Sequence, residues 1–165
     1  MSSVETKRLQ LQWQSFKCIP NENLIDFYSC IIVGENKSLL SAEAQYTRIL
    51  PQYSVSFKLY LPRPPFHEMR NSFETVVDVC QFIKGANSNR FIQAAYKSMS
   101  KSGNLAKKCP QPKGLYYFYN TSVGDYLPDF LPKTEFKVQL DFFTPTEMGI
   151  NITLVGRLFE PRRQG

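Results

Sequence analysis

Four cysteines are the residues of this chain with the clearest chemistry: Cys18, Cys30, Cys80 and Cys109. None forms a Cys-x-x-Cys pair, and the single histidine is His67, so a structural zinc site has almost nothing to build from. The even count suits a disulfide framework, for which three pairings exist. We expect Cys18–Cys30 and Cys80–Cys109, because each bridge would tie a strand to the segment that follows it. Four buried free thiols in a reducing compartment are the alternative. Three Asn-x-Ser/Thr sequons, at Asn36, Asn120 and Asn151, favour the oxidising compartment.

Catalytic groups are scarce. A cysteine nucleophile would have to use His67 as its base, and His67 sits in a proline-rich connection where an ordinary loop histidine is the simpler reading. Asp125 and Asp129 could be imagined as paired carboxylates, but their proline-flanked setting suits turn and solvation roles. There is no Walker motif, no Gly-x-Gly-x-x-Gly and no Gly-x-Ser-x-Gly. A non-enzyme is expected, with no cofactor and no metal.

Strands must position whatever site exists. Leu9, Leu11 and Trp13 alternate with glutamines, and a second apolar run extends from Leu24 to Val33. A third strand is expected within Leu39 to Leu50. Tyr53, Val55, Phe57, Leu59 and Leu61 alternate with polar residues until Pro62-Arg-Pro-Pro, which should stop the strand. Phe73 to Ile83 reads as a further strand ending near Cys80. The period then changes. Phe91, Ile92, Ala95, Tyr96 and Met99 share one helical face opposite Arg90, Lys97 and Lys101, with Ser88 as N-cap and Gly103 as stop. Gly114 to Tyr119, Phe136 to Phe142 and Ile150 to Leu154 supply the last strands.

The pattern predicts one all-β domain, an immunoglobulin-like antiparallel β-sandwich with one short amphipathic helix near residues 88–102 and a core of about 9–159. Its 165 residues, 42% of them hydrophobic, suffice for a core without metals or partners. Thirteen Phe and nine Tyr exclude a disordered polyampholyte. No run approaches the ~18–20 apolar residues of a membrane helix. The net charge of +6 is concentrated between residues 79 and 124, which hold seven basic and no acidic residues. Such a stretch favours acidic partners: lipid head groups, sulfated glycans or nucleic acid.

Tyr116 to Tyr119 beside Lys113 could stack bases, but alternation buries half of such side chains, and no nucleic-acid partner is expected. A sandwich whose inner faces carry Phe can instead splay into a cup for an alkyl chain. Each buried methylene contributes ~0.8 kcal/mol, so about ten give ~8 kcal/mol before ordering costs. The same aromatics would equally fill a solid core.

"FETVVDVCQFIK" at 73–84, "CPQPKGLYYFYN" at 109–120 and "YLPDFLPKTEFKVQLDFF" at 126–143 resemble an insect family of unknown function that includes the chemosensory proteins A of flies. Its pattern is a strand ending Asp-x-Cys-x-Phe-Leu, a helix of small residues, Cys-Pro, then Leu-Pro-x-x-x-Phe. Asp78, Cys80, Phe82 and Ile83 (in place of Leu), Cys109-Pro110, and Leu131-Pro132 with Phe136 carry the resemblance, and Cys18 and Cys30 fall at the first two family cysteines. Such proteins are similar to the ML lipid-recognition superfamily of secreted, disulfide-tied sandwiches. The resemblance implies a secreted protein that detects or carries hydrophobic cues. The first residues hold no apolar leader, and we expect the signal to have been trimmed, with Met1 foreign to the mature chain.

The expected function is non-covalent binding of a lipid or other hydrophobic small molecule and its presentation to a membrane or receptor, by a monomer. Phe57, Leu59, Phe82, Phe91 and Tyr117 are expected to face the cup, with Tyr117 able to add a hydroxyl. Phe136, Val138 and Phe142 join them, and Phe130 would stand at the rim. Lys97, Lys101, Lys107 and Lys108 would dock an anionic bilayer, at about 1 kcal/mol per charge near the surface. The alternative is an extracellular protein-interaction module with a filled core and no lipid ligand.

Overall fold

The computed structural model describes residues 9–65, 68–85, 90–124 and 132–160, without the side chains of Arg90 and Phe91. His67, Ser88, Asp125, Asp129, Phe130 and Leu131 lie outside the described residues, as does the Phe91 side chain.

Among the described residues eight strands form two antiparallel sheets, an all-β sandwich. They are β1 (Gln10–Pro20), β2 (Ile25–Val33), β3 (Leu39–Tyr46), β4 (Ser54–Arg63), β5 (Glu68–Asp78), β6 (Gly114–Thr121), β7 (Glu135–Phe143) and β8 (Met148–Phe159). The larger sheet runs β1-β8-β7-β4-β5 and the smaller β2-β3-β6. Alternation places Val55, Phe57 and Leu59 of β4 on the inner face, with Lys58 and Ser56 outside. A bulge between Trp13 and Ser15 shifts the phase of β1, so Trp13, Phe16 and Cys18 all serve the core although their spacing is not even.

Two clusters build the interior. One gathers Leu11, Trp13, Leu40, Phe57, Leu59, Phe136, Leu154 and Leu158; the other gathers Cys18, Leu24, Ile25, Leu50 and Ile150. Trp13 meets Phe136 edge to face at 5.6 Å between ring centres, a favoured aromatic geometry. Gly156 lies beneath that pair. A Cβ there would stand 2.9 Å from Trp13 and 3.0 Å from Phe136, so the crossing of the two rings requires glycine.

Disulfides pair Cys18 with Cys30 and Cys80 with Cys109, as expected. The first clips β1 to β2 across the sheets. The second ties the first of two helices, α1 (Val79–Ile83) and α2 (Arg90–Lys101), to the approach to β6. Both bridges fit an oxidising compartment. No helix among the described residues is long and apolar enough to cross a membrane.

Two expectations are corrected, the bounds of one strand and the number of helices. The strand expected over Phe73 to Ile83 instead begins at Glu68 and ends at Asp78, where the chain turns into α1. The Asp78 carboxylate accepts a hydrogen bond from the Gln81 backbone N–H at 3.1 Å, an N-cap that starts a helix even in a β-branched sequence. The helix expected near residues 88–102 is present as α2, a shorter helix precedes it, and Cys80 is helical. β4 ends at Arg63, inside Pro62-Arg-Pro-Pro as expected, and takes in Pro62 itself. The partnership with β7 stops at Tyr60–Lys137, so Pro62 pairs only with Met69 of β5 and its missing N–H removes no bond on the β7 side.

Gly103 follows α2, as expected of a stop, but its φ is not positive, and its glycine requirement comes from close approach. A Cβ would overlap the Tyr117 carbonyl oxygen and lie 2.8 Å from the Phe118 Cα. Residues 102–104 run along β6 as a short extra edge. Asn104 clamps it: its amide nitrogen donates to the Leu115 carbonyl at 2.8 Å, and its amide oxygen accepts from the Tyr117 N–H at 2.7 Å. Tyr119 N–H donates to the Ser102 carbonyl at 3.0 Å. This seam fixes α2 against the small sheet and covers an edge that would otherwise invite pairing with another chain.

Candidate functional site, an apolar cavity between the sheets

Between the sheets lies a cavity of about 310 Å³. β4, β7 and β8 supply one wall and β3 and β6 the other. α1 and α2 close the side where the chain crosses from β5 to β6, with Phe82, Ile92, Ala95, Tyr96 and Met99 facing in. On this side α2 is held on β6 through the Asn104 seam, and α1 is tied to the approach to β6 by the Cys80–Cys109 bridge.

Phe57, Leu59, Phe82, Tyr117, Phe136, Val138 and Phe142 all line the cavity, brought together from β4, α1, β6 and β7. Phe57, Leu59 and Phe136 are buried, while the others are partly accessible. Phe130 and the Phe91 side chain lie outside the described residues. Tyr117 borders the space, but its ring stacks on Tyr119, centres 4.7 Å apart, and the Tyr119 hydroxyl donates to Glu43 at 2.5 Å on the neighbouring strand. That bond raises the Tyr119 hydroxyl to about 12. The tyrosine that turns inward is its neighbour, Tyr116, packed edge to face on Tyr46 at 5.8 Å.

Sequence reasoning missed the polar groups at one end of the cavity. Tyr46, Tyr53, Tyr96, Tyr116 and Gln111 all line it. Tyr96 donates to the Ala106 carbonyl at 3.2 Å and Tyr116 to the Pro112 carbonyl at 2.6 Å. Burial pushes Tyr46 up to about 12 and Tyr53 higher still, the neighbouring tyrosines adding to both. These phenols therefore stay protonated. The signal for Tyr53 was legible, since it stands in phase with Val55, Phe57 and Leu59. Gln111 carried none: it is 4% exposed only because Leu50 and Gln111 exchange backbone hydrogen bonds at 2.9 and 2.8 Å, far apart in sequence.

The other expected residues lie on the surface. Lys97, Lys101, Lys107 and Lys108 are exposed, the first two on α2 and the others on the segment that follows. This segment backs the cavity wall, because Leu105 and Ala106 between the pairs line it. Asn36 and Asn120 are exposed, whereas Asn151 is partly buried and its amide donates to Asp141 across the β7–β8 ladder.

No curated protein matches the chain. Residues 47–138, which run from the end of β3 through β4, both helices and β6 into β7, match the family described as "Protein of unknown function (DUF1091)". That match covers more than half of the sequence, and the chain belongs to this family.

Proposed function

We propose that this protein is a secreted, non-catalytic carrier that holds a lipid-like molecule between its sheets and presents it to a membrane or receptor. The cavity carries the reading. Its lining is almost wholly apolar, and an apolar molecule filling the space gains ~0.8 kcal/mol per buried methylene. The volume also falls at the lower end of the range of small-molecule sites. The resemblance to the insect chemosensory proteins A and to ML lipid-recognition proteins supports a hydrophobic cue as the cargo.

Native mass spectrometry of protein secreted from insect cells, followed by denaturation and lipid extraction, tests this. The expected result is a near-stoichiometric acyl or hydrocarbon species that leaves on denaturation. Protein with both disulfides intact that emerges empty and takes up no apolar reporter would reject the carrier.

The four lysines support the presentation step. Replacing Lys107 and Lys108 by Glu exchanges two positive charges for two negative ones. At about 1 kcal/mol per charge, vesicle affinity should fall by more than tenfold. Flotation with anionic vesicles should show that loss while uptake of a soluble apolar reporter is unchanged. Equal loss of both would overturn the separation of docking from binding.

A further inference from the structure

The carrier reading leaves the ligand's chemical class open, and the polar end of the cavity narrows it. Three groups there lack partners among the described residues: the Tyr46 and Tyr53 hydroxyls and the Gln111 side-chain amide. The Tyr96 and Tyr116 hydroxyls beside them are satisfied by backbone carbonyls, so the cluster is not uniformly idle. Buried polar groups are normally hydrogen-bonded, and an unmade bond in such a place costs about 1–3 kcal/mol. The rest of the lining is almost wholly apolar by area, its polar groups being Glu43, Thr134, the Tyr117 hydroxyl and the Trp13 indole N–H, which is buried without a partner among the core residues of β1.

Charge is the second observation. The lining among the described residues contains no Lys, Arg or His, and its only ionisable carboxylate, Glu43, is engaged by Tyr119. The basic residues of this region, Lys97, Lys101, Lys107 and Lys108, are exposed and do not line the cavity. A carboxylate or phosphate head drawn inside would lose its water and meet no cation, which buried charges do not tolerate. A plain alkane would leave the three polar groups unpaired.

Resting on the carrier reading, we infer that the ligand is an apolar chain with a single uncharged oxygen head, a hydroxyl or carbonyl, seated against Tyr46, Tyr53 and Gln111. Either head accepts from a phenol, and a hydroxyl can also donate to the Gln111 amide oxygen. Both phenols are held protonated by burial, so they remain donors through the physiological range.

The test uses the full, oxidised chain stripped of co-purified lipid. Dodecane, dodecanol and dodecanoate, which share a chain length, compete near neutral pH against a fluorescent apolar reporter. Dodecanol should bind roughly 3- to 10-fold more tightly than dodecane, the worth of about one net hydrogen bond. It should exceed dodecanoate by at least about tenfold, because the anion is desolvated without a counter-charge. Replacing Tyr46 and Tyr53 by Phe, with Gln111→Met, should bring dodecanol down to the level of dodecane. Dodecane should bind that variant at least as tightly as the parent chain, because no polar group is left unpaired against it, and an unchanged circular dichroism spectrum reports that the variant is folded. Equal affinity for all three, tighter binding of dodecanoate, or an alcohol preference that survives the triple variant would overturn the inference while leaving the carrier intact. Failure of the reporter and all three compounds to bind would remove the carrier reading and this one together.

Discussion

Truncating Phe136 to Ala should lower the free energy of unfolding by about 3–5 kcal/mol, read as a shift of the urea midpoint at constant slope. Phe136 is 7% exposed and belongs to the main core cluster. Its ring fills the angle between Trp13 and Gly156, so removing it deprives Trp13 of its edge-to-face neighbour. The void joins a cavity that is already present, and relaxation cannot easily close it, because hydrogen-bonded strands pair with β7 on both sides. Phe136→Asp should leave no folded protein. An ionised carboxylate would enter a space without a lining cation, and ligand uptake would vanish with the fold. The alanine variant is therefore the informative one, and a shift below about 1 kcal/mol would show that the Trp13–Phe136 contact does not hold the sheets together.

Removing the second disulfide should have the next largest effect. Cys80→Ser with Cys109→Ser frees a loop spanning 29 positions, for which chain entropy gives about 3–4 kcal/mol. The consequence differs from that of Phe136→Ala. The Cys18–Cys30 bridge and both sheets remain, and the Asn104 seam still holds the C-terminal end of α2 on β6. What loosens is α1 and its junction with the wall, where Phe82 packs edge to face on Tyr96 at 5.3 Å. The double variant should melt at a lower temperature yet keep its β-sheet circular dichroism at room temperature, and it should release an apolar reporter faster than the parent chain. Release at the parent rate would show that the bridge does not guard the cavity.

Much of this architecture was legible before any coordinates. Period-two alternation marked β4 and β7 because each has one face in the core and one in water, so every second residue reports its side. The pairing of the cysteines followed from their order along neighbouring elements. The amphipathic face of α2 was readable for the same reason as the strands. What failed was local and short. A five-residue helix such as α1 is too brief to show a period, and its β-branched Val79 and Ile83 read as strand; only the Asp78 cap betrayed it. The bulge in β1 was hidden because one inserted residue changes phase without changing composition.

The site divides in the same way. The sequence by itself determined which faces are apolar, that Phe57, Leu59, Phe136 and Val138 share an interior, and that the basic stretch lies on and after the helix. Those are properties of side-chain type and spacing. Only the tertiary structure decided whether that interior is filled or hollow, because this depends on how far apart the sheets are held. The elements around it come together through the Asn104 clamp on β6 and the Cys80–Cys109 bridge, contacts that no local pattern encodes. Tertiary contacts alone also place Gln111, Tyr46 and Tyr53 around one cavity. A polar end is made from residues whose neighbours in sequence do not mark them, because hydrogen-bonding groups acquire their meaning from what surrounds them in space.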